Sequence, residues 1–313
     1  MPEIEFSHRS VLLAECIEAL AIRPDGIYVD GTAGGGGHSA AIASHLESGH
    51  LIAIDQDEAA IEAAGKRLAP FGERAVVVRS NFSELERVVH EQGYEQIDGL
   101  LLDLGVSSYQ LDTAERGFSY SADAPLDMRM DKRKALTAYE VVNTYSEAAL
   151  KKILYDYGEE RFAPSIAAAI VRERARKPIE TTSELSELIK RSIPPFAREG
   201  GHHPAKRSFQ AIRIEVNGEL AIIEPTIRTA VSLLRPGGRL AIITFHSLED
   251  RPVKQTMADL ARGCTCPKEF PVCVCGRKPV VRVITRKPIL PSAKELEENP
   301  RSRSAKLRVA EKL

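Results

Sequence analysis

The chain has 313 residues, of which 28% are charged and 43% are hydrophobic. This length and composition favour about two globular domains and exclude disordered, collagen-like and fibrous proteins. The formal net charge of −1 excludes a globally basic surface, yet residues 161–213 carry 11 basic and 5 acidic side chains, and residues 276–313 carry 11 and 4. Such segments fit either an anion-binding face or ordinary solvated surface.

The sequence contains no sign of a membrane segment or of a disulfide framework. The first twenty residues include four glutamates, which interrupt any signal-peptide core, and no run approaches the ~18 apolar residues of a membrane helix. The five cysteines are an odd number in a long chain, which is unlike a disulfide-stapled secreted domain. We therefore expect a cytoplasmic protein without membrane contact.

From residue 27 onward, short aliphatic runs alternate with amphipathic stretches, a pattern typical of β–α units in a parallel sheet. The predicted strands cover residues 27–30, 51–54, 75–78, 99–103 and 240–245, and helices are predicted at 38–46, 58–68 and 83–90. The first four strands are apolar runs that end at a polar residue or a glycine, as central strands covered on both faces do. The predicted fold class is α/β.

This alternation stops between the fourth and fifth predicted strands. Residues 146–157, 163–176 and 183–193 have helical periodicity instead, with proline-containing breaks between them. One further helix is predicted at 214–234, before the breaker sequence RPGG at 235–238, and a last strand pair at 280–285 and 306–310. The interpretation is a discontinuous α/β domain, residues 1–109 and 205–313, interrupted by an all-helical domain at 110–204.

A glycine-rich turn follows the first predicted strand. The sequence YVDGTAGGGGH, residues 28–38, leads from the strand into a helix, and glycines let a ligand approach the N–H groups at a helix start. Asp55 follows the second strand, where a carboxylate can accept hydrogen bonds from the two hydroxyls of a ribose. The arrangement predicts a nucleoside cofactor, although Gly35-x-Gly37-x-x-Ala40 also satisfies the dinucleotide pattern.

The fourth predicted strand favours one cofactor over the other. It ends at Asp103, at the carboxyl edge of the sheet, where an acceptor could hold an amine or a hydroxyl that awaits methylation. This favours S-adenosylmethionine over a nicotinamide cofactor. The plainer alternative is an ordinary β–α turn followed by a capping aspartate.

Segments spread over nearly the whole chain resemble one family of bacterial enzymes. They are HRSVLL (8–13), GGH (36–38), IDQD (54–57), DLGVSSYQLD (103–112), ERGFS (115–119), PLDMRMD (125–131), YGEERF (157–162), HPAKR (203–207), FQAIR (209–213) and TFHSLEDR (244–251). The family is the ribosomal RNA small subunit methyltransferase H proteins, which are S-adenosylmethionine-dependent 16S rRNA (cytosine-N4) methyltransferases. The resemblance implies a class I, Rossmann-like methyltransferase fold with a helical insertion.

The resemblance also implies a set of cofactor contacts, at Gly36, Gly37, His38, Asp55, Phe82, Asp103 and Gln110. The acceptor it implies is the exocyclic amine of a decoding-region cytidine in 16S rRNA of the small ribosomal subunit. Asp103 is the candidate catalytic residue, because it could accept a hydrogen bond from that amine. Contact with the cofactor alone is the other interpretation of Asp103.

Candidate substrate contacts lie in and around the helical insertion. His246 and Ser247 follow the fifth strand and either line the cytosine pocket or belong to the core. Several of five basic residues are predicted to contact RNA phosphates, namely Arg116, Arg129, Lys206, Arg207 and Arg213. Three aromatic residues could stack on a splayed base or pack in the core, namely Phe118, Tyr120 and Phe209.

Two other functions remain open from the sequence, a nucleotide-dependent oxidoreductase and a non-catalytic rRNA-binding assembly protein. The sequence also leaves open whether the chain acts as a homodimer and whether its substrate is naked rRNA or the assembled subunit.

Four cysteines form a compact array, Cys264-x-Cys266 and Cys273-x-Cys275. Zinc requires four tetrahedral ligands, and these thiols are close enough in sequence to supply them. The one-residue gap within each pair is shorter than in common zinc ribbons, so reduced structural thiols are the alternative. No residue is assigned to a metal on the sequence alone. Cys16 lies in a helical pattern and is most simply a small core residue.

Overall fold

The computed structural model describes residues 10–198, 203–267, 270, 272 and 274–313. The chain divides into two compact units. The sheet unit comprises Met1–Gly105 and Ala221–Leu313, and the helical unit comprises Val106–Leu220. Among the described residues, no helix is both long and apolar enough to cross a membrane.

A seven-stranded sheet forms the centre of the sheet unit. Its strands are β1 (Ile27–Asp30), β2 (His50–Asp55), β3 (Ala75–Arg79), β4 (Ile97–Asp103), β5 (Leu234–Thr244), β6 (Val281–Val283) and β7 (Lys306–Lys312). The strand order is β3-β2-β1-β4-β5-β7-β6. The first five strands pair in parallel, whereas β7 pairs antiparallel with both β5 and β6.

Helices connect the strands of the sheet unit and make up most of the helical unit. They are α1 (Leu13–Leu20), α2 (Gly37–Ser44), α3 (Glu58–Leu68), α4 (Leu85–Glu91), α5 (Ser108–Asp112), α6 (Ala138–Thr144), α7 (Glu147–Asp156), α8 (Ala163–Arg174), α9 (Thr182–Ser192), α10 (Pro195–Arg198), α11 (Lys206–Asn217), α12 (Ile223–Leu233), α13 (Ser247–Leu260) and α14 (Ala293–Glu298).

The strands that carry the predicted site are fully covered. All four residues of β1 are buried, as are the first six of β4, so both faces of these strands pack against other elements. The sheet order reverses at β1, because β2 lies on one side of it and β4 on the other. In open α/β sheets, ligands bind at the carboxyl edge beside such a reversal.

Helices α5–α11 form the helical unit around an apolar core of their own. Leu150, Ile166 and Ile189 come from three of its helices and are fully buried there. Side-chain caps begin several of these helices: the hydroxyls of Thr137 and Thr181 each accept a hydrogen bond from the backbone N–H three residues on.

The prediction of one helix at 214–234 is wrong, because two helices cover this region. Gly218 follows α11 with a φ of 68°, a left-handed conformation that ends the helix, and α12 begins at Ile223. The RPGG sequence also differs from its prediction. It lies within β5, where the pairing with β4 shifts register between Ile97 and Gly99.

The predicted division at residues 204 and 205 also differs from the two structural units. Residues 205–220 belong to the helical unit, because α11 packs against α6 and α7 and buries Phe209 in their core. The first division, predicted after residue 109, falls after Gly105.

Candidate active site

The chain leaves β1 through a turn that is held to both neighbouring strands. Gly31 N–H donates to the Leu101 carbonyl on β4 at 2.9 Å, and Ala33 N–H donates to the Ile54 carbonyl on β2 at 2.9 Å. A methyl group at Gly31 would lie 2.5 Å from Cδ2 of Leu102, so only glycine fits there. The turn therefore sits tightly at the reversal of the sheet order.

The glycine loop connects β1 to the start of α2. Gly34 and Gly36 have φ values of 51° and 75°, which side chains rarely adopt. Gly36 directly precedes α2, whose first N–H groups have no partner within the helix and attract anionic groups. A Cβ at Gly37 would lie 2.0 Å from Oγ of Ser10, so this position has no space for a side chain.

Asp55 at the end of β2 is tied to the glycine loop. Its Oδ2 accepts a hydrogen bond from Gly34 N–H at 2.8 Å, and its Oδ1 accepts one from Asp57 N–H at 2.9 Å. Burial raises the pKa of Asp55 to about 6, although these two hydrogen bonds oppose the shift. Each carboxylate oxygen still has a lone pair available for a ligand hydroxyl.

A buried carboxylate on β1, which the sequence analysis did not single out, organises the same turn. Oδ2 of Asp30 accepts from the Ser39 hydroxyl at 2.6 Å, and its Oδ1 accepts from Thr32 N–H at 3.1 Å. Burial raises its pKa, which the hydroxyl and amide partners partly offset. The signal available in the sequence was a carboxylate directly before the glycine loop.

His38 and Asp103 face each other across the carboxyl edge of the sheet. Nε2 of His38 lies 2.9 Å from the Val11 carbonyl, which can only accept, so this nitrogen carries the proton. Burial lowers the pKa of His38, which keeps the ring neutral. Its Nδ1 lies 3.8 Å from Oδ2 of Asp103, a separation too long for a direct hydrogen bond.

Asp103 occupies an apolar and acidic environment. Burial raises its pKa well above the usual range, and the charges of Asp30 and Glu249 raise it further. Its N–H donates to Oγ1 of Thr32 at 2.6 Å, which fixes the end of β4 against the glycine turn. Its Oδ1 is buried and has no hydrogen-bond partner in the described part of the chain. The Asp103 side chain as a whole is 24% exposed, so a ligand at the strand ends can reach its carboxyl group.

Two further residues of the sheet unit lie at strand ends, as predicted. Phe82 is half-buried, and its Cβ would lie 3.3 Å from a methyl group at Gly31, so it borders the glycine turn. His246 follows β5, and its Nε2 lies 3.0 Å from Oε1 of the buried Glu249. Oε2 of Glu249 accepts from Phe245 N–H at 2.8 Å, so this glutamate, which the sequence analysis did not single out, orients the loop that carries His246.

Gln110 lies in the helical unit and caps a helix. Its side-chain oxygen accepts from Ser107 N–H at 3.0 Å, and its own N–H donates to the Ser107 hydroxyl at 3.2 Å. This reciprocal pair begins α5, and Gln110 is buried. Its predicted contact with the cofactor stays a prediction.

Four of the five basic residues considered for RNA make hydrogen bonds inside the helical unit, and one of these four, Arg207, stays exposed while donating to the Glu159 carbonyl at 3.1 Å. Arg116 is buried and donates to the Arg129 carbonyl at 2.8 Å. Arg129 pairs with Asp127 at 2.7 Å, and Arg213 pairs with Glu219 through two hydrogen bonds. Lys206 and Arg207, at the start of α11, are exposed. The prediction of phosphate contacts is therefore kept for these two residues.

The aromatic residues proposed for base stacking are mostly core residues. Phe118 and Phe209 are buried in the core of the helical unit, so the structure supports the core alternative for both. Tyr120 packs on the same core, where its ring stacks on His203 at 4.3 Å and meets Phe209 edge-on at 5.8 Å. A small helical domain needs these rings for its own stability.

Comparison with known proteins shows the family. A family model described as the MraW methylase family matches residues 5–313. The chain belongs to the MraW methylase family. It is 60% identical over 311 residues to the ribosomal RNA small subunit methyltransferase H 2 of Agathobacter rectalis, with 99% of each chain covered. It is 56% identical over 314 residues to ribosomal RNA small subunit methyltransferase H of Brevibacillus brevis, with 100% of each chain covered.

Membership makes the chain a methyltransferase that uses S-adenosylmethionine, with the α/β fold of the class I, Rossmann-like group. The oxidoreductase and non-catalytic alternatives gain no support. The residues of the sheet unit fit such a donor. A Cβ at Gly36 or Gly37 would crowd Ala64 or Ser10, Asp55 has lone pairs left for a ligand, and Oδ1 of Asp103 has no hydrogen-bond partner among the described residues.

Proposed function

We propose that the chain transfers a methyl group from S-adenosylmethionine to the exocyclic N4 amine of a cytidine in small-subunit 16S rRNA. The observation that carries this proposal is the Asp103 carboxyl group beside the glycine loop, which is 24% exposed and whose Oδ1 has no hydrogen-bond partner among the described residues. An acceptor at this position suits an amine substrate, because the amine offers N–H groups. The names of the relatives, rRNA small subunit methyltransferases, support the choice of RNA.

In this proposal, the glycine loop and its neighbouring strands hold the cofactor. The N–H groups at the start of α2, at Gly37 and His38, would receive the carboxylate of the methionine part. Asp55 would accept from the ribose hydroxyls, and the Phe82 ring would lie against the adenine. Gln110 is a further proposed contact from the helical unit. When bound, S-adenosylmethionine supplies an electrophilic methyl group on a positively charged sulfur.

Asp103 would act on the nucleophile. The lone pair of the cytosine amine is delocalised into the ring, so the amine is weakly nucleophilic. A carboxylate that accepts a hydrogen bond from N4–H increases the electron density on nitrogen. When N4 bonds to the methyl group that the cofactor would supply, Asp103 would accept the proton that N4 gives up and would pass it to solvent. Burial and the charges of Asp30 and Glu249 raise the pKa of Asp103, so its carboxylate is a stronger base whenever it is ionised.

In this mechanism, the remaining rate enhancement comes from the positioning of the substrate amine relative to the methyl donor. Oδ1 of Asp103 is shielded from solvent, whereas the whole side chain is 24% exposed. Orientation of an amine against a methyl donor lowers the entropic part of the barrier. A cytidine in structured RNA must leave its stack to reach such a site, and we propose that His246 borders the pocket for the base. Lys206 and Arg207 would contact RNA phosphates.

The proposal is tested with small ribosomal subunits from a bacterial strain that lacks the endogenous enzyme. Tritiated methyl transfer from S-adenosylmethionine, followed by nucleoside mass spectrometry, should place the label on N4 of one cytidine. Naked 16S rRNA serves as the second substrate, and monomeric and dimeric fractions of the protein are assayed separately. We expect the assembled subunit in the cytoplasm to be the natural substrate. Label on ring carbon or on ribose, or no label on either substrate, would overturn the proposal.

A further inference from the structure

The segment between α13 and β6 is a long loop with little support from its own side chains. Its described residues between Ala261 and Val280 form no helix or strand. Three apolar side chains in it are exposed, Phe270 by 51%, Val272 by 70% and Val274 by 74%. Loops this long without secondary structure are uncommon in compact domains, and this one has no apolar core of its own among its described residues. Another interaction must order it.

The base of the loop is well connected to the sheet unit. Val280 N–H donates to the Leu260 carbonyl at 2.9 Å. Nη2 of Arg277 donates both to the Asp259 carbonyl and to Oδ1 of Asp259 at 2.6 Å. These hydrogen bonds hold the two ends of the loop together at the end of α13. The cysteines lie between these ends.

At the tip, three cysteine sulfurs converge. The Sγ atoms of Cys264, Cys266 and Cys275 all lie within 4.8 Å of one another. Those of Cys264 and Cys275 are 3.7 Å apart. Zinc–sulfur bonds of about 2.3 Å at tetrahedral angles place neighbouring sulfurs ~3.8 Å apart, so this spacing suits a common ion. A disulfide requires about 2.05 Å.

Backbone N–H groups are directed at the same sulfurs. Cys266 N–H donates to Sγ of Cys264 at 3.4 Å, and Val274 N–H donates to Sγ of Cys266 at 3.4 Å. Such donors stabilise negative charge on sulfur, and the thiolate is the form that binds metal. The first of these bonds also shows how two cysteines separated by one residue can bind the same ion. The chain turns at Cys264, and this turn brings Cys266 next to the Cys264 sulfur.

We propose that Cys264, Cys266 and Cys275 bind one zinc ion as thiolates and that this ion holds the loop in its folded conformation. Binding releases three thiol protons to solvent and changes no oxidation state. Soft sulfur ligands select zinc over magnesium or calcium. A fourth ligand completes the tetrahedron; Cys273 lies outside the described residues and is not part of the assignment. The proposal is independent of the methyl transfer proposed above.

Metal content is the first test. The full-length protein, purified without chelator and under reducing conditions, should contain about one zinc per chain by elemental analysis. Cys264→Ser and Cys275→Ser should each lose most of it. Cys16→Ala is the matched control, because Cys16 is a buried residue of α1, and it should retain the wild-type content.

Two measurements on the wild-type chain keep the proposal falsifiable if a variant fails to fold. Cobalt exchanged for zinc should give thiolate-to-metal charge-transfer absorption and the intense visible bands of a tetrahedral site. Removal of zinc should increase the rate of trypsin cleavage after Arg262 and Arg277, with recovery on addition of zinc alone. Iron in place of zinc, no metal with unchanged proteolysis, or a Cys264–Cys275 disulfide in the reduced preparation would overturn it.

Discussion

Nδ1 of His38 lies 3.8 Å from Oδ2 of Asp103, and burial disfavours the charged form of both groups. Burial lowers the pKa of His38, and it raises the pKa of Asp103 well above the usual range. A positive charge placed beside Asp103 would favour its ionised form. A cationic ligand bound here would therefore oppose the effect of burial on the pKa of Asp103.

The first prediction concerns Asp103→Asn. An amide of the same shape cannot take a proton from the substrate amine, so we expect kcat to fall by about 10²-fold or more. The affinity for S-adenosylhomocysteine should change only a few-fold, because shape and hydrogen-bonding capacity are nearly kept. Turnover on small subunits and calorimetric titration give the two quantities. Unchanged turnover with weakened affinity would mean that Asp103 contacts only the cofactor.

The second prediction concerns pH and Asp55. Its pKa of about 6 means that the ionised form, which accepts hydrogen bonds from ribose hydroxyls, becomes dominant above that pH. The affinity for S-adenosylhomocysteine should be roughly tenfold weaker at pH 5 than at pH 7.5. The free energy of unfolding should respond in the opposite direction. The contribution of Asp55 is largest below the ordinary carboxyl pKa and is lost as pH rises through about 6.

Asp55→Asn is the control for this pH dependence. It should bind the cofactor product weakly at every pH, since an amide offers only one acceptor oxygen to the N–H groups of Gly34 and Asp57. A variant that kept the wild-type pH profile would assign the titration to another group, such as Asp30.

The third prediction tests the close packing of the glycine turn. Gly31→Ala places a methyl group 2.5 Å from Cδ2 of Leu102 and should lower the free energy of unfolding by about 1–3 kcal/mol. Gly65→Ala is the matched control: it lies in α3, nothing lies within 4 Å of its Cβ position, and it should stabilise by about 0.5–1 kcal/mol. Urea unfolding measures both. Equal effects would show that the turn can relax.

The fourth prediction tests the RNA contacts of the helical unit. If Lys206 and Arg207 contact phosphates, the double substitution to alanine should reduce the dependence of log Kd on log salt by roughly one to two units. Fluorescence anisotropy with a labelled rRNA fragment at several salt concentrations measures this slope. Lys151→Ala/Arg176→Ala removes the same charge from exposed positions and should keep the wild-type slope.

The strands of the site were predictable because a strand buried on both faces appears in the sequence as a short, continuous apolar run. β1 and β4 are apolar runs that end at Asp30 and Asp103, and the predicted positions agree with the structure. The start of α12 was harder to predict than its end, since the apolar periodicity continues across Gly218 and only the left-handed conformation of this glycine reveals the break.

The roles of charged residues were less predictable than the positions of strands. The sequence alone does not distinguish an arginine that faces solvent from an arginine that donates to an acceptor inside the protein. Arg116 and Arg213 illustrate this, because their partners, the Arg129 carbonyl and the Glu219 carboxylate, are determined by tertiary folding. Asp30 and Glu249 were missed for the same reason, as each acts through neighbours that meet only in the folded chain.

The position of β7 has a consequence for biosynthesis. This strand lies between β5 and β6, although it follows both in the chain. During translation, one edge of β5 therefore remains unpaired until residues 306–312 leave the ribosomal exit tunnel. Unpaired strand edges can pair with other chains and aggregate. A nascent chain stalled before residue 306 should therefore depend on chaperones far more than a chain that includes β7.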